Sequence, residues 1–239
     1  MVDVNVYCIN LKTRDDRYEH ARSVLDPLDL DVTYLRVDRH PDDPEQGCFE
    51  SHIKAISLAY KKGSEFVLVF EDDIQITPSY KDGDLDLVLD SLKSSEYEFL
   101  YLGWHALLDE TTKRVSSIER PDTNNLALYE VMALGGHAYV MQRSMMARFV
   151  DRPYTGIPID VLYRQEPKTI AVYPALFEQA GLESDLDTCA PRGGFIVQLR
   201  RWSHWYVTQI NVPFHYVWKT LLVLLIIWIV IKATKRSNK

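Results

Sequence analysis

Residues 66–76 read FVLVFEDDIQI. Five apolar residues follow one another without polar alternation, the pattern of a strand buried on both faces in a parallel sheet. They run into Glu71, Asp72 and Asp73, after which apolar alternation resumes. Three adjacent carboxylates repel unless a cation or hydrogen-bond donors compensate them. In open α/β sheets ligands bind beyond the carboxyl ends of strands, where these acids stand. Oxygen ligands suit hard ions such as Mg2+ or Mn2+, whose usual task is to neutralise substrate phosphates. For an isolated Glu-Asp-Asp, a solvated turn whose acids cap the next element is the plain alternative.

On either side of this stretch strands and helices alternate. VNVYCINL (4–11) and DVTYLRV (31–37) read as strands from their β-branched and aromatic content. Between them TRDDRYEHARSVL (13–25) reads as a helix capped by Thr13, with Asp16 as capping-box partner. HPDDPEQG (40–47) reads as loop, and CFESHIKAISLAYKKG (48–63) as a helix with Phe49, Ile53, Ile56 and Tyr60 on one face. Further on, residues 85–95 read as helix, 97–104 as strand, and 107–125 as an excursion or irregular hairpin. GGHAYVMQ (135–142) reads as strand, 143–150 and 157–165 as short helices, and TIAVYPALFEQ (169–179) as a late strand and turn. The expected architecture is α/β, with a mostly parallel central sheet flanked by helices.

With 239 residues, 46% of them hydrophobic, the chain can bury a large core in one domain. A net charge of −7 excludes a general nucleic-acid binder. Cys8, Cys48 and Cys189 have no CxxC spacing, which suggests neither a zinc site nor a disulfide framework. The opening MVDVNVYCINL lacks the charged and apolar regions of a secretory signal. Near the other end, TLLVLLIIWIVI (220–231) would rise about 18 Å as a helix at ~1.5 Å per residue. That is short of a hydrocarbon core about 30 Å thick. Its unbroken apolarity and the basic KATKRSNK behind it predict a C-terminal apolar helix attached to a membrane, either spanning it or lying in the interface on the cytosolic face. The expected division is a catalytic domain over 1–211 and a membrane-associating segment over 212–239.

GCFESHIKAISLAY followed by FVLVFEDDI resembles the signature of the family 25 glycosyltransferases, which includes lipooligosaccharide and collagen galactosyltransferases. INLKTRDDR is similar to that family's opening strand and basic turn, GGHAYVMQR to its central Gly-x-His-Ala-Tyr strand, and IPIDVLY to its Pro-x-Asp segment. AVYPALFEQAGLESD is similar to its closing block. These blocks follow in order over most of residues 4–185. The resemblance implies a GT-A type fold and a UDP-sugar donor. It also implies Mn2+ or Mg2+ as metal and transfer of a hexose such as galactose, with inversion, to a glycan, glycolipid or glycoprotein hydroxyl. A non-catalytic sugar-nucleotide-binding scaffold at a membrane is the alternative.

Carried onto this chain, the resemblance implies that Asp73 is a direct metal ligand, with Glu71 and Asp72 supporting the metal or the donor ribose. It also implies donor contact for Asn10, near the end of the first strand, and for Arg14 and Arg17 just after it, where helix N-terminal amides also favour phosphate. The arginines could instead pair with Asp15, Asp16 or Glu19. His52 either contacts the donor or packs beside its pocket. His137, after two glycines, either completes a metal site or is a satisfied strand histidine. An inverting transfer needs a base for the acceptor hydroxyl. Asp160 is the first candidate and Asp185 the second, and either could be a helix cap. Gly136 stands where the family often carries a hydroxyl residue, and the segment between Trp104 and Leu128 matches no family block, which leaves the acceptor open.

Overall fold

The computed structural model describes residues 3–106, 113–121, 124–131 and 133–180. The expected membrane-associating segment 212–239 and Asp185 lie outside the described residues. Among the described residues, no helix is long and apolar enough to cross a membrane.

The first third is built as strand–helix–strand units. β1 (Val4–Leu11) leads into α1 (Asp15–Leu25), β2 (Val32–Val37), α2 (Pro44–Lys62) and β3 (Phe66–Glu71). β1 pairs in parallel with both β2 and β3. Residues 66–70 of β3 are all within 1% of full burial, as their continuous apolarity requires. β4 (Ile74–Ile76) follows the acidic turn and pairs antiparallel with the late β10 (Phe177–Gln179). This two-stranded ribbon holds the turn from behind: Ala180 donates its amide to the Asp73 carbonyl at 2.7 Å.

The remaining strands are β5 (Phe99–Ala106), β6 (Lys113–Ile118), β7 (Leu126–Glu130), β8 (Ala133–Gln142) and β9 (Thr169–Tyr173). The eight-stranded sheet has the order β2-β1-β3-β8-β5-β9-β7-β6. β1, β2, β3, β5, β6 and β9 share one direction, while β7 and β8 oppose it. The sheet is therefore mostly parallel in direction but mixed in pairing, because β8 inserts antiparallel between β3 and β5. The segment read as an irregular hairpin supplies β6. Its partner β7 carries no turn signal that sets it apart from β8, so the sequence reading missed it.

Two helix starts differ from expectation. α1 begins at Asp15 with Arg14 at the cap, and no side chain there bonds the first amides, so Thr13 does not cap it. α2 begins at Pro44, inside the stretch read as loop. Asp43 accepts from the Glu45 and Gln46 amides at 2.9 and 3.2 Å, and Pro44 supplies the fixed φ of a first helical position. Proline and acids mark a helix start as readily as a loop.

α3 (Asp84–Lys93) covers one face of the sheet with Leu85, Val88, Leu89 and Leu92, a 3.6-residue stripe. Later in the chain, α4 (Arg143–Phe149) and α5 (Ile159–Arg164) bury Met145, Met146, Phe149, Leu162 and Tyr163. Asp84 at the head of α3 is 1% exposed and forms a two-pronged ion pair with Arg120, at 2.8 Å for Arg120 Nε to Asp84 Oδ1. Arg120 also donates to the Ser79 carbonyl at 3.0 Å. Removing one member of such a pair strands a buried charge, at about 3–5 kcal/mol. Arg120→Ala should lose stability of that order in urea unfolding, and Arg120→Met combined with Asp84→Leu should recover most of it. A cost below about 1 kcal/mol for the single variant would show the pair to be dispensable.

Candidate functional site

The acids occupy the turn between β3 and β4, and each has different neighbours. Arg17, on the inward face of α1 and 8% exposed, reaches across to two of them. Its Nε lies 3.0 Å from Asp72 Oδ1 and its Nη2 2.6 Å from Asp73 Oδ2. Asn10, near the end of β1, donates from Nδ2 to Asp72 Oδ2 at 2.7 Å and to the Arg14 carbonyl at 3.1 Å. Arg36 of β2 donates to Asn10 Oδ1 at 3.1 Å. Asp72 thus has a partner on each oxygen. Asp73 does not: its Oδ1 is buried without a hydrogen-bond partner.

The charges separate accordingly. Burial, then the Glu71 carboxylate, push Asp73 up to about 7 against the pull of Arg17. Burial also raises Asp72, although Arg17 and Asn10 draw it down. Burial pushes Glu71 up too, but His52, His137 and Arg17 outweigh it and hold that carboxyl below its ordinary value.

His52 Nε2 lies 3.3 Å from Glu71 Oε1, and its Nδ1 lies 3.0 Å from the Tyr139 hydroxyl. Tyr139 in turn meets the Tyr163 hydroxyl at 2.8 Å. Two glycines of the sheet make room here. A Cβ on Gly136 would stand 3.0 Å from Glu71 Oε1 and 3.3 Å from His52 Cε1. One on Gly103 would stand 2.4 Å from His137 Nε2 and 2.7 Å from the Phe177 carbonyl oxygen.

An open cleft lies over the acids. Ile9, Leu11 and Val37 give it an apolar wall at the ends of β1 and β2, with Asp38 and Arg39 beside them. Glu71, Asp72 and Asp73 lie along its polar side, with Arg17, Cys48, His52 and Gln179 also lining it. An apolar slot leading to a cluster of polar and charged groups is the usual form of a small-molecule site.

The structure brings Arg17, Glu71, Asp72, Asp73 and His52 together on this cleft. Asn10 is buried beneath it as the holder of Asp72. Arg14 is bonded to Asp16 through Nε at 2.9 Å and Nη2 at 2.8 Å, outside the cleft lining. His137 is 2% exposed and packed against Gly103, where its charge is felt by Glu71. Asp160 is the second residue of α5, whose cap is Pro158, and its Oδ1 accepts from the Val161 amide at 2.8 Å. Burial raises the Asp160 carboxyl, and Glu71 adds to the rise. Arg36, Tyr139, Tyr163, Cys48 and Gln179 had no assigned role in the sequence reading. Gln179 was visible within the closing family block. The tyrosines were not, since their link to His52 spans 87 residues of chain.

The family model for glycosyltransferase family 25, described as an LPS biosynthesis protein, matches residues 40–163. A glycosyltransferase 25 family member of Drosophila melanogaster is 24% identical over 157 residues, covering 54% of this chain and 25% of that relative. The chain thus spans about a quarter of the length of that relative. Among solved structures, A197 from STIV has a TM-score of 0.45 at 12% identity, covering 72% of this chain and 81% of that one. A glycosyltransferase involved in the glycosylation of the major capsid of PBCV-1 has a TM-score of 0.39 at 9% identity, covering 61% and 63%.

The two glycines are unequal. Alanine at position 103 meets a backbone oxygen that cannot yield, whereas alanine at position 136 meets the end of a flexible carboxylate. Gly103→Ala should cost about 3 kcal/mol and Gly136→Ala about 1 kcal/mol, within the range for overpacked sites. Urea midpoints of the two variants measure the difference, and equal costs would contradict this packing.

Proposed function

The chain belongs to glycosyltransferase family 25, and on that premise we propose that it moves a hexose, galactose in our reading, from a UDP-sugar to a hydroxyl of a glycan, glycolipid or glycoprotein. The proposal includes a GT-A type organisation, a divalent metal and inversion at the anomeric carbon. The observation that carries it is the unpartnered Asp73 Oδ1 in a turn of three carboxylates that Arg17 bridges at two of them. That donor set is short of positive charge and made of oxygen, which fits Mn2+ or Mg2+. Asp73 and Glu71 would hold the ion, with His137 behind Glu71. When bound, it would supply positive charge to the leaving diphosphate.

The chain's own residues divide the remaining work. Arg17 fixes Asp72 and Asp73 at 3.0 and 2.6 Å, so the orphan oxygen of Asp73 is held still. Asn10, itself held by Arg36, fixes one oxygen of Asp72 in place. The wall formed by Ile9, Leu11 and Val37 suits the flat face of a nucleobase, and Asp38 and Arg39 offer polar partners to its edge or to the ribose. Asp160 is our candidate for the base that takes the proton from the acceptor hydroxyl. Its raised carboxyl pKa makes it a stronger base than an exposed aspartate. Asp185 stays in reserve for that role. On composition alone, we read the apolar segment 220–231 as the part that keeps the enzyme at a membrane.

Asp73→Asn should keep the fold and remove most metal-stimulated hydrolysis of a UDP-sugar, since the metal screening is worth several kcal/mol. Turnover and circular dichroism across a manganese titration measure this. Undiminished turnover in EDTA would refute the metal assignment, and UDP binding without any turnover would favour the scaffold alternative. Asp160→Asn should lower transfer to an acceptor by about 10²-fold or more while leaving UDP affinity within a few-fold. Transfer within a few-fold of the native enzyme would move the base to Asp185.

A further inference from the structure

Cys48 and His52 stand four residues apart on α2, so the two side chains share one face of the helix, and both line the cleft. Glu71 meets them from the end of β3. One ligand atom from each of the three lies within 4.8 Å of the other two. His52 is 1% exposed, and its Nε2 has no hydrogen-bond partner. Glu71 Oε1 is 3.3 Å away, close enough for charge attraction but not placed to accept a hydrogen bond. The opposite ring nitrogen is anchored at 3.0 Å on the Tyr139 hydroxyl, which Tyr163 holds in turn. An imidazole fixed through one nitrogen, with the other turned to a thiol and a carboxylate, has the disposition of a metal-ligating histidine.

We propose that Cys48, His52 and Glu71 form a zinc site with three protein ligands and a fourth position open to the cleft. Bonds of about 2.0–2.3 Å in a tetrahedron place neighbouring ligand atoms roughly 3.3–3.7 Å apart. The observed 3.3 Å between His52 Nε2 and Glu71 Oε1 already meets that spacing. Thiolate and imidazole select zinc over manganese, which prefers an all-oxygen set such as the one around Asp73. The missing Cβ of Gly136 leaves space beside that nitrogen and oxygen. As the sulfur–zinc bond forms, the Cys48 proton passes to solvent, with no change of oxidation state. Glu71 is shared with the donor metal on the glycosyltransferase reading, so zinc here excludes that ion and restrains transfer.

The test titrates Zn2+ into the full chain in competition with a chromophoric chelator, for the native protein and for Cys48→Ser. The expected result is one zinc per chain and an affinity at least about 10-fold weaker in the variant. In the native protein, Zn2+ should protect Cys48 from a small thiol reagent, read on its own peptide by mass spectrometry, and Mn2+ should not. This arm needs no variant. Equal zinc affinity in the two proteins, or Cys48 labelled at the same rate with zinc present, overturns the site. In a third arm, stoichiometric Zn2+ should inhibit manganese-stimulated donor hydrolysis in the native enzyme and spare it in Cys48→Ser, while equal inhibition of both overturns the sharing of Glu71. If neither protein hydrolyses donor, the donor reading fails, and the titration and protection still decide the zinc site.

Discussion

Three carboxylates at the end of a buried strand are tolerated here because the parallel pairing of β1 and β3 brings compensating groups to the same edge of the sheet. Ile9 of β1 lies level with Glu71 of β3, which puts Asn10 and the start of α1 beside the acidic turn. From α1, Arg17 reaches both aspartates. From β2 on the other side of β1, Arg36 orients Asn10. On the far flank, β8 brings Tyr139 to hold His52 against Glu71. The repulsion among the acids therefore sets a requirement on four separate strands and two helices, and the topology meets it.

Compensation is uneven, and the unevenness is what makes the turn chemically useful. A fully satisfied triad would be inert, as Asp72 nearly is, with partners on each oxygen. Asp73 has one oxygen paired and one buried without a partner, a costly arrangement in a low-dielectric setting unless a ligand completes it. Glu71 is held in its charged form by two histidines and an arginine. One turn thus contains a structural acid, an acid awaiting a partner, and an acid kept ionised.

The acids and the strand that carries them were legible in the sequence, because continuous apolarity followed by charge leaves few alternatives. The role of Asn10 was not: its bond to Asp72 depends on a parallel register between residues 62 positions apart. Arg14 and Arg17 looked equivalent, yet the helix phase turns one inward and leaves the other on Asp16. Cys48 carried no expected ligand role because the cysteines lack CxxC spacing, although its i, i+4 relation to His52 is present in CFESH. β7 stayed hidden for a similar reason. Its five residues are separated from β8 by only two, and nothing local tells one long strand from two that serve different parts of a sheet.

The departure at Gly136 from the family pattern bears on this same cluster. In sequence it suggested a difference in the acceptor pocket. In the structure the position faces the gap between Glu71 and His52, with 3.0 Å and 3.3 Å left for a Cβ. A hydroxyl-bearing side chain there would fill that gap and offer its own oxygen to Glu71 or His52. With glycine, His52 Nε2 keeps no hydrogen-bond partner, and Glu71 lines the cleft beside it. The glycine therefore leaves an unpartnered ring nitrogen at the centre of the site instead of reshaping its rim. Whatever binds over β3 must satisfy it along with Asp73.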